Sequence, residues 1–220
     1  MTRCSHSLIL AAAAAALAFT PRLSAQTTAA DSALVRRADH ARIEGNPTAT
    51  VWLVEVSDFQ CPFCKRWHDQ TYPAIKRDYV DAGKVRLAYI NFPLSMHKNA
   101  MPAAQAAMCA ATQDKFWPMQ DALFQAQAAW EKRADPAPVF DSLASLAGVN
   151  VTAMRACITS GLMKSTIAGD MDRAKSEGVG STPAFKVTGQ SELIEGAQPL
   201  ALFRQALDAA LARAAGAPKP

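Results

Sequence analysis

The hydrophobic pattern of the chain begins with a nearly continuous apolar run at residues 51–56, in which Glu55 is the only polar residue. Such a run favours a β-strand buried on both faces near the centre of a sheet. Residues 84–92 alternate as a second strand, and residues 64–81 between them are compatible with a helix that Pro73 would kink. Strand, helix and strand at this spacing predict a βαβ unit.

A different pattern begins at residue 96, where alanine, methionine and glutamine dominate and β-branched runs disappear. It predicts a helical subdomain, with Asn150 as an N-cap. The expected helices span residues 97–113, 116–129, 137–147, 151–159 and 162–177. The sheet pattern then returns in a hairpin formed by 184–187 and 192–194, followed by an amphipathic helix at 198–214. The chain is therefore predicted to be an α/β protein with a helical segment between two parts of one sheet.

The N-terminus has the pattern of an export signal. Arg3 precedes twelve uncharged residues, 8–19, which are fewer than the roughly 20 needed to span a bilayer. Ser24 and Ala25 offer a cleavage point, so we expect residues 1–25 to be removed and the protein to be exported. Residues 26–48 are expected to form a mobile lead-in, then a short helix or irregular arm, and a turn, and residues 215–220 a loose tail.

Composition and charge narrow the function further. The formal net charge of +4 becomes +2 when the two arginines of the signal are removed with no acid, which is too little to indicate nucleic-acid binding. Of the five cysteines, Cys4 would leave with the signal. An even number remains, as suits an oxidising compartment. We expect Cys109 and Cys157 to form a structural disulfide, the alternative being two separate buried thiols.

The strongest chemical signal is the Cys61-Pro-Phe-Cys64 motif between a predicted strand and a predicted helix. A cysteine at a helix N-terminus lies beside unpaired backbone N–H groups and ionises easily. Its thiolate can attack a disulfide, and the second cysteine, one turn away, can displace what the first has captured. A zinc site would require further ligands at similar spacing, and an inert disulfide closing so short a loop would stabilise little.

Other motifs accompany the cysteine pair. Together with it, they resemble those of the exported thiol:disulfide oxidoreductases of the DsbA type. The matching segments lie within residues 44–214 and are 58–64, 91–94 with His97, 107–110, 116–117 and 178–185. The resemblance implies a thioredoxin fold, a central β-sheet flanked by helices, with an inserted all-helical subdomain. Its first half would span residues 49–94, the insertion 95–178 and the second half 179–214.

The resemblance also implies roles for individual residues. Cys61 would be the exposed nucleophile and Cys64 the buried resolving cysteine. Thr182 and Pro183 would form a cis-proline loop that contacts an extended substrate chain, because proline leaves the preceding backbone groups free to bind it. Phe63 departs from the family, whose best-known oxidases have histidine at this position, and leaves the direction of electron flow open.

Glu55 and the dipeptide between the cysteines complete the candidate site. A carboxylate in an apolar strand needs a purpose or a partner. The resemblance implies that Glu55 exchanges protons with the resolving thiol; the alternative is a sheet-edge carboxylate paired with a base such as Arg86. Pro62 and Phe63, with the Thr182-Pro183 loop, are the expected substrate contacts. For His97 we expect a capping or hinge role rather than catalysis.

The predicted function is that of an exported dithiol oxidase. Through Cys61 and Cys64 it would introduce disulfides into proteins that enter the periplasm. Its expected partners are unfolded exported polypeptides with free cysteines and, by resemblance, a quinone-linked membrane protein that reoxidises it. No metal or organic cofactor is required, and nothing in the sequence demands more than a monomer. The alternatives are a periplasmic reductase or isomerase, and a non-catalytic chaperone on a thioredoxin scaffold.

Overall fold

The computed structural model describes Met1 and residues 28–216 of the protein. Residues 2–25 of the predicted export signal, its cleavage point at Ser24 and Ala25, and most of the predicted tail lie outside this range. Within residues 28–216, no helix combines the length and apolar character needed to cross a membrane.

A five-stranded mixed sheet forms the centre of the described region, and its strands lie in the order β1-β3-β2-β4-β5. β2 pairs with β3 in parallel, and the other neighbouring strands are antiparallel. The strands are β1 Ile43–Glu44, β2 Val51–Ser57, β3 Val85–Asn91, β4 Ala184–Val187 and β5 Ile194–Glu195. The apolar run at 51–56 is therefore the central strand, as its pattern predicts, and the α/β class is confirmed.

The segment before the central strand, expected to contain a short helix or an irregular arm, contains a helix and a short strand. A helix, α1, spans Ala29–Ala41 and begins with a capping box between Thr28 and Asp31. β1 follows it and pairs with β3 at the sheet edge. The helix agrees with the short-helix alternative for this segment, whereas β1 was not predicted, because a two-residue edge strand has no alternation to detect and only its pairing with β3 defines it.

The redox motif lies at the start of a helix that is interrupted soon afterwards. Helix α2 spans Pro62–Gln70, α3 spans Tyr72–Ile75, and a π-helical turn covers Lys76–Val80. The break falls at Thr71, two residues before Pro73, so the predicted kink is confirmed. The helix begins two residues earlier than expected, because Pro62 is suited to its first position and Cys61 serves as the N-cap residue.

The helical subdomain occupies the chain between β3 and β4. Its helices are α4 Ala100–Ala111, α5 Phe116–Gln125, α6 Gln127–Trp130, α7 Ala137–Leu146, α8 Val151–Ser160 and α9 Lys164–Ser176. The predicted helix at 116–129 is divided at Ala126 into α5 and α6. The side chain of Asn150 accepts a hydrogen bond from the Ala153 N–H at 3.0 Å, which confirms the predicted N-cap. The final helix, α10, spans Leu200–Gly216.

Two hydrophobic cores meet behind the redox motif. One contains residues of β2, β3, α2, α3 and α10, including the fully buried Trp67. The other fills the helical subdomain but also includes Phe59, Cys61, Cys64 and Tyr89 from the sheet domain. The ring of Phe59 stacks on Tyr89 with a centroid distance of 5.1 Å. The cysteine pair therefore lies where the sheet and the helical subdomain pack together.

Candidate active site

A short loop connects β2 to α2 and places the cysteine pair at the helix N-terminus. The Cys61 N–H donates to the Asp58 carbonyl at 3.0 Å, and the chain then enters α2 through Pro62. Cys61 and Cys64 are both free thiols in this structure. Because Cys64 is three residues further along the helix, the two sulfurs lie on the same side of its first turn.

The environment makes the two thiols differ in acidity. A hydrogen bond from Cys64 has the largest influence on the pKa of Cys61. Together with the backbone N–H groups of Phe63 and Cys64, it lowers this pKa to about 6, although burial opposes the shift. Burial, followed by the neighbouring Cys61 sulfur, raises the pKa of Cys64 well above its usual value. Cys61 therefore ionises first, and at neutral pH it is largely a thiolate.

The expectation of an exposed nucleophile is wrong for this structure, in which Cys61 is only 3% exposed. Its sulfur lies 3.4 Å from the carbonyl oxygen of Thr182, to which the thiol donates a hydrogen bond. Its own carbonyl accepts a hydrogen bond from Gln127 of α6 at 3.2 Å. Contacts from two distant parts of the chain thus bury Cys61, whereas its local sequence predicts an exposed residue at a helix N-terminus.

The loop before β4 faces the cysteine pair across 121 residues of sequence. The peptide bond between Thr182 and Pro183 is cis, and both residues are buried. The Pro183 carbonyl accepts a hydrogen bond from Gly196 at 2.7 Å, while the Thr182 carbonyl faces the Cys61 sulfur. The structure therefore places next to each other the two motifs that the sequence analysis combined into one site.

Pro62 and Phe63 form the exposed part of the site. The Phe63 side chain is 51% exposed, and the Arg66 guanidinium lies over its ring at 4.9 Å from the centroid. An exposed aromatic ring beside the redox pair is suited to contact with an apolar chain.

Glu55 is fully buried in the central strand, opposite Tyr89 of β3 and Phe185 of β4. Neither carboxylate oxygen has a hydrogen-bond partner among the residues described. Burial raises the pKa of Glu55 to about 7, and the nearby Ser57 and His68 oppose this only in part. The alternative of a sheet-edge carboxylate paired with Arg86 is wrong, because β2 is central and Arg86 lies over the Trp52 ring at 3.9 Å.

Several residues that hold the redox loop were not recognised from sequence. The Gln127 amide donates to the carbonyl of Phe59 at 2.7 Å, in addition to that of Cys61. The Gln60 side chain accepts from the Asn99 N–H at 2.7 Å and donates to the Glu131 carbonyl at 2.9 Å, so three residues of the helical subdomain hold the loop. A glutamine in a helix rich in alanine and glutamine carries no local sign of such a role, and only tertiary packing reveals it.

The remaining two cysteines lie in the helical subdomain, away from the redox pair in sequence. Cys109 of α4 and Cys157 of α8 are joined by a disulfide bond, with their Cα atoms 5.8 Å apart. This bond joins two helices of the same subdomain across 48 residues of chain.

Comparison with known proteins identifies the family. The family model described as Thioredoxin matches residues 37–209, most of the chain. The chain belongs to the thioredoxin family. Among its relatives in this family is the "Probable disulfide bond formation protein D" of Bacillus cereus, 32% identical over 151 residues, which cover 66% of this chain and 68% of the relative. The Disulfide bond formation protein D of Bacillus subtilis is 24% identical over 145 residues, 65% of each chain.

Solved structures of thioredoxin-family proteins show the same fold. The alpha-DsbA1 of Wolbachia pipientis superposes with a TM-score of 0.71 at 22% identity, covering 79% of this chain and 92% of that one. The oxidised BdbD of Bacillus subtilis gives a TM-score of 0.70 at 22% identity, covering 78% and 92%. The predicted thioredoxin fold and the resemblance to the DsbA type are confirmed, and this member of the family is a thiol:disulfide oxidoreductase.

Proposed function

We propose that this DsbA-type oxidoreductase works as an exported dithiol oxidase that transfers its Cys61–Cys64 disulfide to proteins in the periplasm. The observation that carries the proposal is the opposite displacement of the two thiol pKa values, with Cys61 lowered to about 6 and Cys64 raised. A stabilised Cys61 thiolate favours the reduced form of the enzyme. The corresponding disulfide is then a strong oxidant.

The reaction proceeds by two thiol–disulfide exchanges. A substrate thiolate attacks the Cys61 sulfur of the oxidised enzyme, the bond between Cys61 and Cys64 breaks, and Cys64 leaves as a thiolate that takes up a proton. A second substrate thiolate then attacks the substrate sulfur of the mixed disulfide, and Cys61 leaves as a thiolate. The substrate loses two electrons and gains a disulfide, while the enzyme gains those two electrons as a dithiol.

Glu55 is proposed to supply the proton that Cys64 takes up. Its pKa of about 7 means that it can hold or release a proton near neutral pH, as an acid–base group in this role requires. Glu55 is buried in the central strand, opposite Tyr89, and Tyr89 lies in the same hydrophobic core as Cys64. This position supports the assignment. A buried acid whose carboxylate oxygens have no hydrogen-bond partner among the described residues is costly to retain for stability alone.

The proposed substrates are unfolded, exported polypeptides with free cysteines. Exposed Pro62 and Phe63 beside Cys61, together with the Thr182-Pro183 loop, would form the contact surface for an extended chain. A membrane-bound, quinone-linked oxidant is the proposed partner that restores the disulfide. The relatives are named for disulfide bond formation, which supports oxidation over reduction.

Oxidation of a reduced, unfolded protein with two cysteines tests the proposal. The oxidised protein should convert this substrate to its disulfide form and become reduced itself, whereas a Cys61→Ser variant should not. The Cys109→Ala/Cys157→Ala variant is the matched control, because it removes two other cysteines and should retain the activity. An enzyme whose equilibrium with glutathione lies on the disulfide side, and which reduces substrates instead, would support the reductase alternative.

A further inference from the structure

Asp58 is a buried charged residue between β2 and α2 to which the exchange reaction assigns no role. It is only 1% exposed. Its Oδ1 accepts from the Gln60 N–H at 2.7 Å, and its Oδ2 accepts from the Leu94 N–H at 2.9 Å and lies 2.7 Å from His97 Nδ1. Both oxygens thus accept a backbone hydrogen bond, and these two bonds, with the contact to His97, compensate a burial that would otherwise be costly.

The backbone of the same residue contacts both redox cysteines. The Asp58 N–H donates to the Cys64 sulfur at 3.4 Å, and the Asp58 carbonyl accepts from the Cys61 N–H at 3.0 Å. The contacts of the Asp58 side chain restrict rotation about the backbone bonds of the same residue. One residue thus joins the carboxylate contacts to the N–H that faces the Cys64 sulfur.

His97 contributes the side-chain donor of this set. Its Nδ1 lies 2.7 Å from Asp58 Oδ2, an oxygen that also accepts from the Leu94 N–H, and this is the geometry of a ring N–H that donates to a carboxyl oxygen. The backbone N–H of His97 donates to the Leu94 carbonyl at 3.0 Å, and this hydrogen bond closes a tight turn after β3. Through Asp58, this turn is connected to the redox loop across 39 residues of sequence.

We propose that Asp58 and His97 are positioning residues that hold the Asp58 N–H on the sulfur of Cys64. They would act in the step of reoxidation in which Cys64 attacks a mixed disulfide at Cys61 and restores the enzyme disulfide. This inference deepens the proposed function and rests on it, since it concerns the second thiol of the same exchange. A hydrogen bond to sulfur favours the thiolate, which is the form of Cys64 that attacks a mixed disulfide. We call the contact between the Asp58 carboxylate and His97 the clamp. Its loss should slow the attack by Cys64 while leaving the attack by Cys61 nearly unchanged.

The reaction of the reduced protein with 5,5′-dithiobis(2-nitrobenzoate) separates the two attacks. Cys61 attacks the reagent and releases one thionitrobenzoate, leaving the other half bound as a mixed disulfide. Cys64 then attacks the Cys61 sulfur, forms the enzyme disulfide and releases the second thionitrobenzoate. Stopped-flow absorbance resolves the two releases, and their ratio is insensitive to the amount of folded protein.

Three variants test the proposal. His97→Ala removes the donor and should slow the second release by roughly tenfold, the effect of about one pKa unit on the thiolate population, with the first release within about twofold of wild type. His97→Asn places an amide N–H near the position of Nδ1 and should restore most of the rate. His40→Ala, at an exposed position on α1, should behave as wild type.

Three results would overturn the proposal. These are an unchanged ratio in His97→Ala, an equal slowing of both releases, and an asparagine variant no faster than the alanine variant. If His97→Ala does not fold, His97→Gln replaces it, because its amide reaches the Nε2 position instead of Nδ1. The measurement needs only thiol exchange with the reagent. The positioning role of Asp58 and His97 can therefore be supported or contradicted even if the protein fails to oxidise an unfolded substrate.

Discussion

The buried carboxylate of Glu55 should make the stability of the protein depend on pH in a way that Glu55→Gln removes. In the folded protein the pKa of Glu55 is raised from 4.5 to about 7 by complete burial. In the unfolded chain this carboxyl group is surrounded by water and titrates at its ordinary value. The unfolded state therefore loses its proton at lower pH than the folded state.

The sign and size of the effect follow from this difference. Below pH 4.5 both states hold the proton, and the acid has its full contribution to stability. As the pH rises from 4.5 through about 7, that contribution is lost, because the unfolded state gives up its proton freely while the folded state must either keep the proton or bury a charge. At 1.36 kcal/mol per pKa unit, the shift corresponds to about 3 kcal/mol of free energy of unfolding. Glu55→Gln, which cannot ionise, should escape this loss.

Urea denaturation of the reduced proteins between pH 4 and pH 8 measures the effect. The free energy of unfolding of Glu55→Gln should exceed that of wild type by about 3 kcal/mol at pH 8, and the two should converge near pH 4. Contributions that both proteins share, such as that of Cys61, cancel in the difference. Glu192→Gln, an exposed site, is the control and should run parallel to wild type. A Glu55→Gln curve parallel to wild type would refute the reasoning.

Three further predictions concern other parts of the molecule. The rate at which iodoacetamide alkylates Cys61 should rise with a midpoint near pH 6, and a midpoint above 8 would contradict its lowered pKa. Replacement of Cys109 and Cys157 by alanine opens a loop of 48 residues and should lower the free energy of unfolding by about 4 kcal/mol in urea, with the alkylation profile unchanged. Asp170→Asn should lower that free energy by about 3 to 5 kcal/mol, because it leaves the charge of Arg42 buried without its main partner; a loss below 1 kcal/mol would show that the pair is not structural.

Much of the fold could be predicted from local patterns. The continuous apolar run at 51–56 predicted a central strand because a strand buried on both faces requires apolar side chains on both faces. Alanine-rich sequence with caps and breaks predicted the helices, and Asn150 was identified as a cap from a side chain that bonds its own neighbours. These features depend on residues close in sequence, so the sequence alone contains the information.

The features that sequence reasoning missed are defined by long-range pairing. β1 is a strand only because Ile43 and Glu44 lie against β3. The division of the helix at Ala126 places Gln127 where it can donate to the redox loop, 66 residues earlier in the chain. The two-residue strand has no alternation of its own, and the glutamine is typical of its surroundings, so neither position could be distinguished locally.

For the site itself, the sequence determined which chemistry is possible. Two cysteines one helical turn apart, delivered by a strand to a helix N-terminus, provide an acidic thiol and a second thiol within reach, because helix geometry and unpaired N–H groups follow from the local chain. The tertiary structure decided how that chemistry is controlled. Burial of Cys61 against Thr182, the position of Glu55 opposite Tyr89, and the clamp of Asp58 on His97 each depend on segments distant in sequence. Burial and hydrogen bonding set the acidity of a group, and both are properties of the packed chain.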